Sequence, residues 1–170
     1  MHYELCIMNC LRVLDIVEGT SVDGPGLRTS IYLAGCPHHC PGCHNPESWD
    51  FNGGREVDDD ELLKVIAYNR FNVTFSGGDP MSQPEAIARL CRQIKAEQGK
   101  NIWVYTGYRW EDIVGKEPFQ SVLATIDVLV DSPFILERRD ISLRFRGSDN
   151  QRIIDVPASL DSGDVVILDY

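Results

Sequence analysis

Strand-like and helix-like runs alternate along most of this chain, and its most chemically distinctive residues fall just after the strands. Residues 11–17 and 29–33 are rich in β-branched and aliphatic side chains and read as strands. Residues 58–68 open with acids and place Leu62, Leu63, Ile66 and Ala67 on one helical face. Residues 72–75 form a short strand that runs into S-G-G-D-P. In the helix that follows, Ser82 and Glu85 have the capping-box spacing and Pro84 suits the first turn. Ile87, Leu90, Cys91 and Ile94 make its apolar stripe, and Gly99 ends it. Residues 102–106 read as strand, 110–114 and 119–125 as short helical pieces, and 127–130 as a strand ending at Asp131. The rest reads as irregular, with strands near 143–145, 152–156 and 165–168.

Such alternation implies an α/β fold with a mostly parallel sheet and right-handed crossovers. The strand–helix units are too few for a closed eight-stranded barrel, so an open, partial β/α barrel is expected. No repeat or linker divides the chain. One domain should cover residues 1–170, with 1–10 as an N-terminal extension, 11–156 as the core and 157–170 as a C-terminal tail. In sheets of this kind ligands collect at the carboxyl ends of strands. The cysteine loop after the second strand, S-G-G-D-P, T-G-Y and Asp131 should therefore share one rim.

Charge narrows the function. The net charge is −10 and the pI near 4.7, which argues against nucleic acid or an anionic membrane as a partner. No apolar stretch approaches a membrane span and the N-terminus lacks a signal layout, so a cytoplasmic location is expected. Arg138, Arg139, Arg144 and Arg146 form a local exception. They read first as a solvated edge offsetting Glu137 and Asp140; the alternative is a patch that docks a partner or a phosphate.

Of six cysteines, three stand in G-C-P-H-H-C-P-G-C-H-N as Cys36, Cys40 and Cys43. Three bunched cysteines in a chain this size argue against a disulfide framework. A closed iron–sulfur cluster takes four thiolates. Three on one short loop would hold three irons of a [4Fe–4S] cube and leave the fourth open to a substrate, as catalytic zinc keeps a position open. The rival is zinc, with His38, His39 or His44 as a fourth ligand, although structural zinc usually draws on two separated pairs. The histidines themselves read as loop residues lining the site. Cys6, Cys10 and Cys91 read as structural or incidental. In Ser76–Pro80 the glycines would let main chain approach a ligand, and Asp79 adds a carboxylate suited to an ammonium group. Residues 23–28, D-G-P-G-L-R, read either as a simple turn or as a rim loop.

C-x-x-x-C-x-x-C followed by a G-G-(D/E)-P turn after the next strand resembles the signature of the radical S-adenosylmethionine (radical SAM) enzymes. V-D-G-P-G-L-R and C-P-G-C-H-N-P-E-S-W resemble the activases of glycyl-radical enzymes. W-V-Y-T-G-Y and R-G-S-D-N-Q resemble the branch that activates anaerobic (class III) ribonucleoside-triphosphate reductase. The resemblance spans residues 15–151. It implies that Cys36, Cys40 and Cys43 ligate a [4Fe–4S] cluster whose open iron is chelated by SAM. Gly42, Cys43 and His44 would lie along the cofactor, Gly77, Gly78 and Asp79 would bind its methionine end, and Thr106 and Asp131 would add contacts. It further implies an oxidoreductase that takes an electron from reduced flavodoxin or a similar donor and cleaves SAM reductively. The fragment then draws a hydrogen from a glycine of the partner reductase. No side-chain acid or base is implied, since the cofactors carry the chemistry. The alternatives are an activase of another glycyl-radical enzyme such as pyruvate formate-lyase, a small-molecule radical SAM enzyme such as a deazapurine synthase, and a non-catalytic zinc module. Formate-lyase-type activases are longer, so the partner would have to enclose the substrate.

Overall fold

The structure is a computed structural model that describes residues 9–170. Seven strands form one sheet: β1 (Cys10–Thr20), β2 (Arg28–Leu33), β3 (Arg55–Asp58), β4 (Asn72–Gly77), β5 (Ile102–Tyr105), β6 (Val128–Asp131) and β7 (Arg152–Asp155). Their order is β3-β1-β2-β4-β5-β6-β7. The helices are α1 (Asp59–Asn69), α2 (Pro84–Gln98), α3 (Trp110–Ile113), α4 (Phe119–Leu123) and α5 (Val156–Ser162).

The expected mostly parallel sheet is in fact mixed. β2, β4, β5 and β6 pair in parallel, but β1 runs antiparallel to β2 and β3, and β7 antiparallel to β6. Connection length explains the difference at β1. Residues 21–27 are too few for a crossover, which needs a dozen or more, so β1 and β2 pair head to tail. The central strands are joined through helices and keep one direction.

The two faces of the sheet differ in chemistry because side chains alternate along each strand. Ile31, Leu33, Val73, Phe75, Val104, Leu129 and Ile154 point one way and pack with Leu62, Ile66, Ile87, Leu90 and Ile94 of α1 and α2. The other face carries Trp103, Val128, Val130 and Ile153, with Tyr105, Phe145 and Leu168 against them. Toward β2 it turns polar. Arg28 is fully buried and donates to Thr74 Oγ1 and the Val73 carbonyl, each at 2.7 Å, with its guanidinium 5.3 Å from the Trp103 ring centre. Burial pulls its pKa down to about 10. D-G-P-G-L-R leans on this same face: Tyr32 Oη donates to Asp23 at 2.5 Å, and Thr74 Oγ1 donates to the Asp23 carbonyl at 2.8 Å.

Several expectations need correction. Ser82 does not cap α2; it lies in a 3-10 turn, Pro80–Ser82, and Gln83 occupies the cap position without a side-chain cap bond. Residues 143–145 form no strand, because Phe145 sits at φ +60°, in the left-handed region that extended chain avoids. Residues 165–168 contribute only an isolated bridge, Ile154 to Ile167. β3 and α5 went unforeseen; α5 is capped by Asp155, which accepts from the Ala158 amide at 3.0 Å. Cys91 is fully buried and its thiol is pushed up to about 12 by burial, as a core residue's would be. Cys10 opens β1 and is disulfide-bonded, so of the two readings, structural or incidental, the structural one applies to it. Cys6 lies outside the described residues.

Candidate functional site

Four parallel strands deliver the candidate residues to one end of the sheet. β2 ends at Leu33 and leads into the cysteine loop, β4 ends at Gly77, β5 at Tyr105 and β6 at Asp131. The cysteine loop is tied down at both ends. The Gly35 amide donates to the Ser48 carbonyl at 2.8 Å and the Cys36 amide to the Trp49 carbonyl at 3.3 Å. Ser48, buried in the 3-10 turn Pro46–Trp49, donates from Oγ to the carbonyls of Asn45 at 2.6 Å and Gly77 at 3.1 Å. The His39 ring stacks on Trp49 with centroids 4.8 Å apart.

Cys36, Cys40 and Cys43 are half-buried free thiols. Main-chain N–H groups of His38 and His39 point at the Cys36 sulfur, that of Phe134 at Cys40, and that of Asn45 reaches Cys43 Sγ at 3.4 Å. Burial pushes the Cys36 and Cys40 thiols above the ordinary range, and these N–H groups oppose it. Among the described residues no three His, Cys, Asp or Glu side chains are gathered tightly enough to chelate a single ion. A cluster asks for something else: one thiolate per iron, spread around the cube, with N–H donors to the sulfurs that tune its potential. The donor set fits that group.

Asp79 is the post on which the rim turns. It is 1% exposed and four donors converge on it. Oδ1 accepts the Met81 amide at 2.9 Å; Oδ2 accepts His38 Nε2 at 2.6 Å, Thr106 Oγ1 at 2.9 Å and the Gly107 amide at 3.0 Å. One carboxylate thus fastens the cysteine loop to the ends of β4 and β5. The two glycines before it are dictated by close approach of main chain. A Cβ on Gly78 would lie 2.4 Å from the Gly35 carbonyl oxygen, and one on Gly77, at φ +93°, 2.5 Å from the Leu33 nitrogen. Gly107 makes room in the same way for the His38 ring, 2.3 Å from where its Cβ would stand.

The rim expected from sequence is therefore assembled, but not every member faces the site. Asp131 is fully buried and committed elsewhere: Arg152 pairs with it at 2.5 Å, the Trp110 amide donates at 2.8 Å and Ser132 Oγ at 3.1 Å. Gly42 lies at φ +73° under Leu136, whose Cδ1 a Cβ there would meet at 2.8 Å. His44 borders a hollow with Leu14, Asp15, Tyr32, Asn45 and Glu47. Gly107 belongs to the T-G-Y expected on the rim, although its role of admitting the His38 ring was not foreseen. Sequence reasoning gave no role to Ser48 or Leu136, for which no local signal exists.

A family described as "4Fe-4S single cluster domain" matches residues 22–154. The anaerobic ribonucleoside-triphosphate reductase-activating protein of Salmonella typhi is 39% identical over 140 residues, 76% of this chain and 89% of that one. The protein of the same name from Vibrio cholerae is 38% identical over 141 residues, 78% and 90% of the two chains. This chain belongs to that family. The counterpart from bacteriophage T4, at 33% identity over 139 residues, belongs with it. Among solved structures, QueE from Escherichia coli aligns over 62% of this chain and 57% of that one at 16% identity and a TM-score of 0.45, a distant likeness that adds nothing to the assignment.

Proposed function

We propose that this protein activates an anaerobic ribonucleoside-triphosphate reductase by reductive cleavage of SAM at a [4Fe–4S] cluster held by Cys36, Cys40 and Cys43. The observation that carries the reading is the placement of three half-buried free thiols, on the loop that follows β2, on the same rim as the G-G-D turn of β4. Held by Cys36, Cys40 and Cys43, a reduced cluster would supply the electron for reductive cleavage of SAM, and SAM would supply the group that takes a hydrogen from a glycine of the reductase. The protein's own work is placement. The thiols of Cys36, Cys40 and Cys43 lose their protons on metal binding. Gly77 and Gly78 expose main chain to the methionine end of SAM, and Asp79 adds a fixed negative charge that favours its ammonium group. Gly42, Cys43 and His44 line the side along which SAM lies. Thr106 holds Asp79 in place and is a further contact; Asp131 serves by holding α3 and Arg152.

In this reading residues 1–170 act as one domain, and the open sheet is the wall of a partial β/α barrel. The polar and aromatic face that carries Arg28, Tyr32, Trp103 and Tyr105 is its interior. The protein works in the cytoplasm, and its electron comes from reduced flavodoxin or a similar donor. Anaerobic reconstitution tests the reading. Iron and sulfide should bind, SAM should alter the spin-resonance signal of the reduced cluster, and mixing with the reductase should raise a glycyl doublet. Protein that takes up one zinc and no iron overturns it, as does a doublet that arises in pyruvate formate-lyase alone.

A further inference from the structure

A chain of net charge −10 repels an acidic protein at long range. One stretch runs against that field. Residues 134–149, in the arch between β6 and β7, carry Arg138, Arg139, Arg144 and Arg146 against Glu137, Asp140 and Asp149. Arg138 is paired with Asp149 at 2.5 Å, and Arg146, half-buried, donates to the Gln151 carbonyl at 2.8 Å. Arg139 and Arg144 are exposed and form no ion pair among the described residues. Arg144 lies 5.2 Å over the Phe145 ring, which holds its charge in one place. Beside these cations Ile141 is 88% exposed and Leu136 44%.

The inner side of the same arch touches the cysteine loop. Leu136 packs on Gly42, and the Phe134 amide points at the Cys40 sulfur. The arch is held by its own polar network. Gln151 accepts from the Gly147 and Ser148 amides at 2.9 and 3.2 Å, Asn150 donates to the Pro133 carbonyl at 2.8 Å, and Ser148 Oγ accepts the Ile135 amide at 3.2 Å. That network accounts for the R-G-S-D-N-Q run, and it does not draw on the side chains of Arg139, Ile141 or Arg144.

We infer that this arch is the docking surface for the protein that delivers the electron, a donor with an acidic rim around its redox group. The inference rests on the proposed function. Electron transfer weakens steeply with distance, so the donor must come close to the cysteine loop, and the arch is a cationic, partly apolar surface in contact with it. Two unpaired arginines beside two exposed aliphatic side chains suit a small, transient redox encounter. One electron crosses per encounter: the donor is oxidised by one electron and the oxidised cluster is reduced by the same one.

The test uses reconstituted holoprotein carrying Arg139→Glu and Arg144→Glu, mixed anaerobically with fully reduced flavodoxin as the probe donor. Cluster reduction should slow by about tenfold or more at low salt, and the wild-type rate should fall toward the variant's as salt rises. Reduction by dithionite, and SAM cleavage driven by it, should be unchanged. An unaltered flavodoxin rate overturns the inference. So does a variant that flavodoxin reduces normally but that fails to activate the reductase under dithionite, because the surface would then belong to the reductase. Wild-type protein that cleaves no SAM under dithionite sinks the functional reading instead, which keeps the two failures apart. Should the double variant fail to retain iron, Arg139→Gln read in the same way should slow the flavodoxin step about threefold, and no slowing overturns the inference.

Discussion

At the scale of single residues the site is governed by close contacts that leave no room for a methyl group. Gly78→Ala would press its Cβ against the Gly35 carbonyl, main chain that cannot swing aside. Its neighbour Asp79 holds β4, β5 and the cysteine loop together, so the strain must pass into that loop. The expected outcome is a folded protein that binds well under half of the wild-type iron on anaerobic reconstitution, read by metal analysis beside far-ultraviolet circular dichroism. Full iron loading would show that the loop absorbs the clash. Cys91→Ala supplies the contrast. It trims a fully buried thiol of the helix-side core, so it should cost about 1 kcal/mol of stability and leave iron content and SAM cleavage alone. Alkylation of the native apoprotein should label Cys36, Cys40 and Cys43 and spare Cys91. That thiol is out of reach of water, and burial keeps it protonated to about pH 12.

At the scale of elements, Gln83 does what no local pattern announced. Its Oε1 accepts the Arg12 amide at 2.8 Å, and its Nε2 donates to the carbonyls of Arg12 at 3.1 Å and Ala34 at 3.3 Å. The side-chain amide stands in for a neighbouring strand where β1 and β2 shift register between Val13 and Asp15. Gln83→Leu keeps the volume and removes these bonds. It should cost about 1 kcal/mol, because the part-buried Arg12 amide loses its partner while the Arg12 carbonyl keeps the Ala34 amide, and hydrogen exchange at the Arg12 amide should quicken. An unchanged exchange rate would count against the bridge. The same residue marks where the sequence stopped being legible. Periodicity located α1, α2 and the central strands within a residue or two, since each buries a regular apolar face. Ser82 and Glu85 had the right spacing for a cap, but Asp79 and Pro80 start a 3-10 turn three residues early and carry Ser82 into it. The rim of chemical residues was readable from strand ends alone. What fastens it, namely Ser48 on Gly77 and His38 on Asp79, joins residues 29 and 41 positions apart, and no local signal encodes such pairs.

For the whole molecule, the open flank of the sheet depends on one cation. Arg152, on the edge strand β7, grips Asp131 of β6 with Nε and Nη2 at 3.1 and 2.5 Å and Glu111 of α3 with both terminal nitrogens at 2.9 Å. Asp131 is fully buried, so Arg152→Met would leave a buried negative charge with only the Trp110 amide and the Ser132 hydroxyl for company. A buried charge stripped of its partner costs about 3 kcal/mol, which should lower Tm by roughly 10 °C in a chain of this size. The loss should also depend on pH in a fixed sense. The Arg152 hydrogen bonds pull Glu111 down to about 2 from its ordinary 4.5. A carboxylate whose folded pKa is depressed contributes its stability above the unfolded value and loses it as the pH falls toward the folded one. The gap between wild type and Arg152→Met should therefore be widest above about pH 4.5 and narrow from there toward pH 2. Urea titrations of the apoprotein at pH 7, 4.5 and 3 measure it. A gap that stays constant across the three would mean that Glu111 takes no part in holding β7 and α3 together.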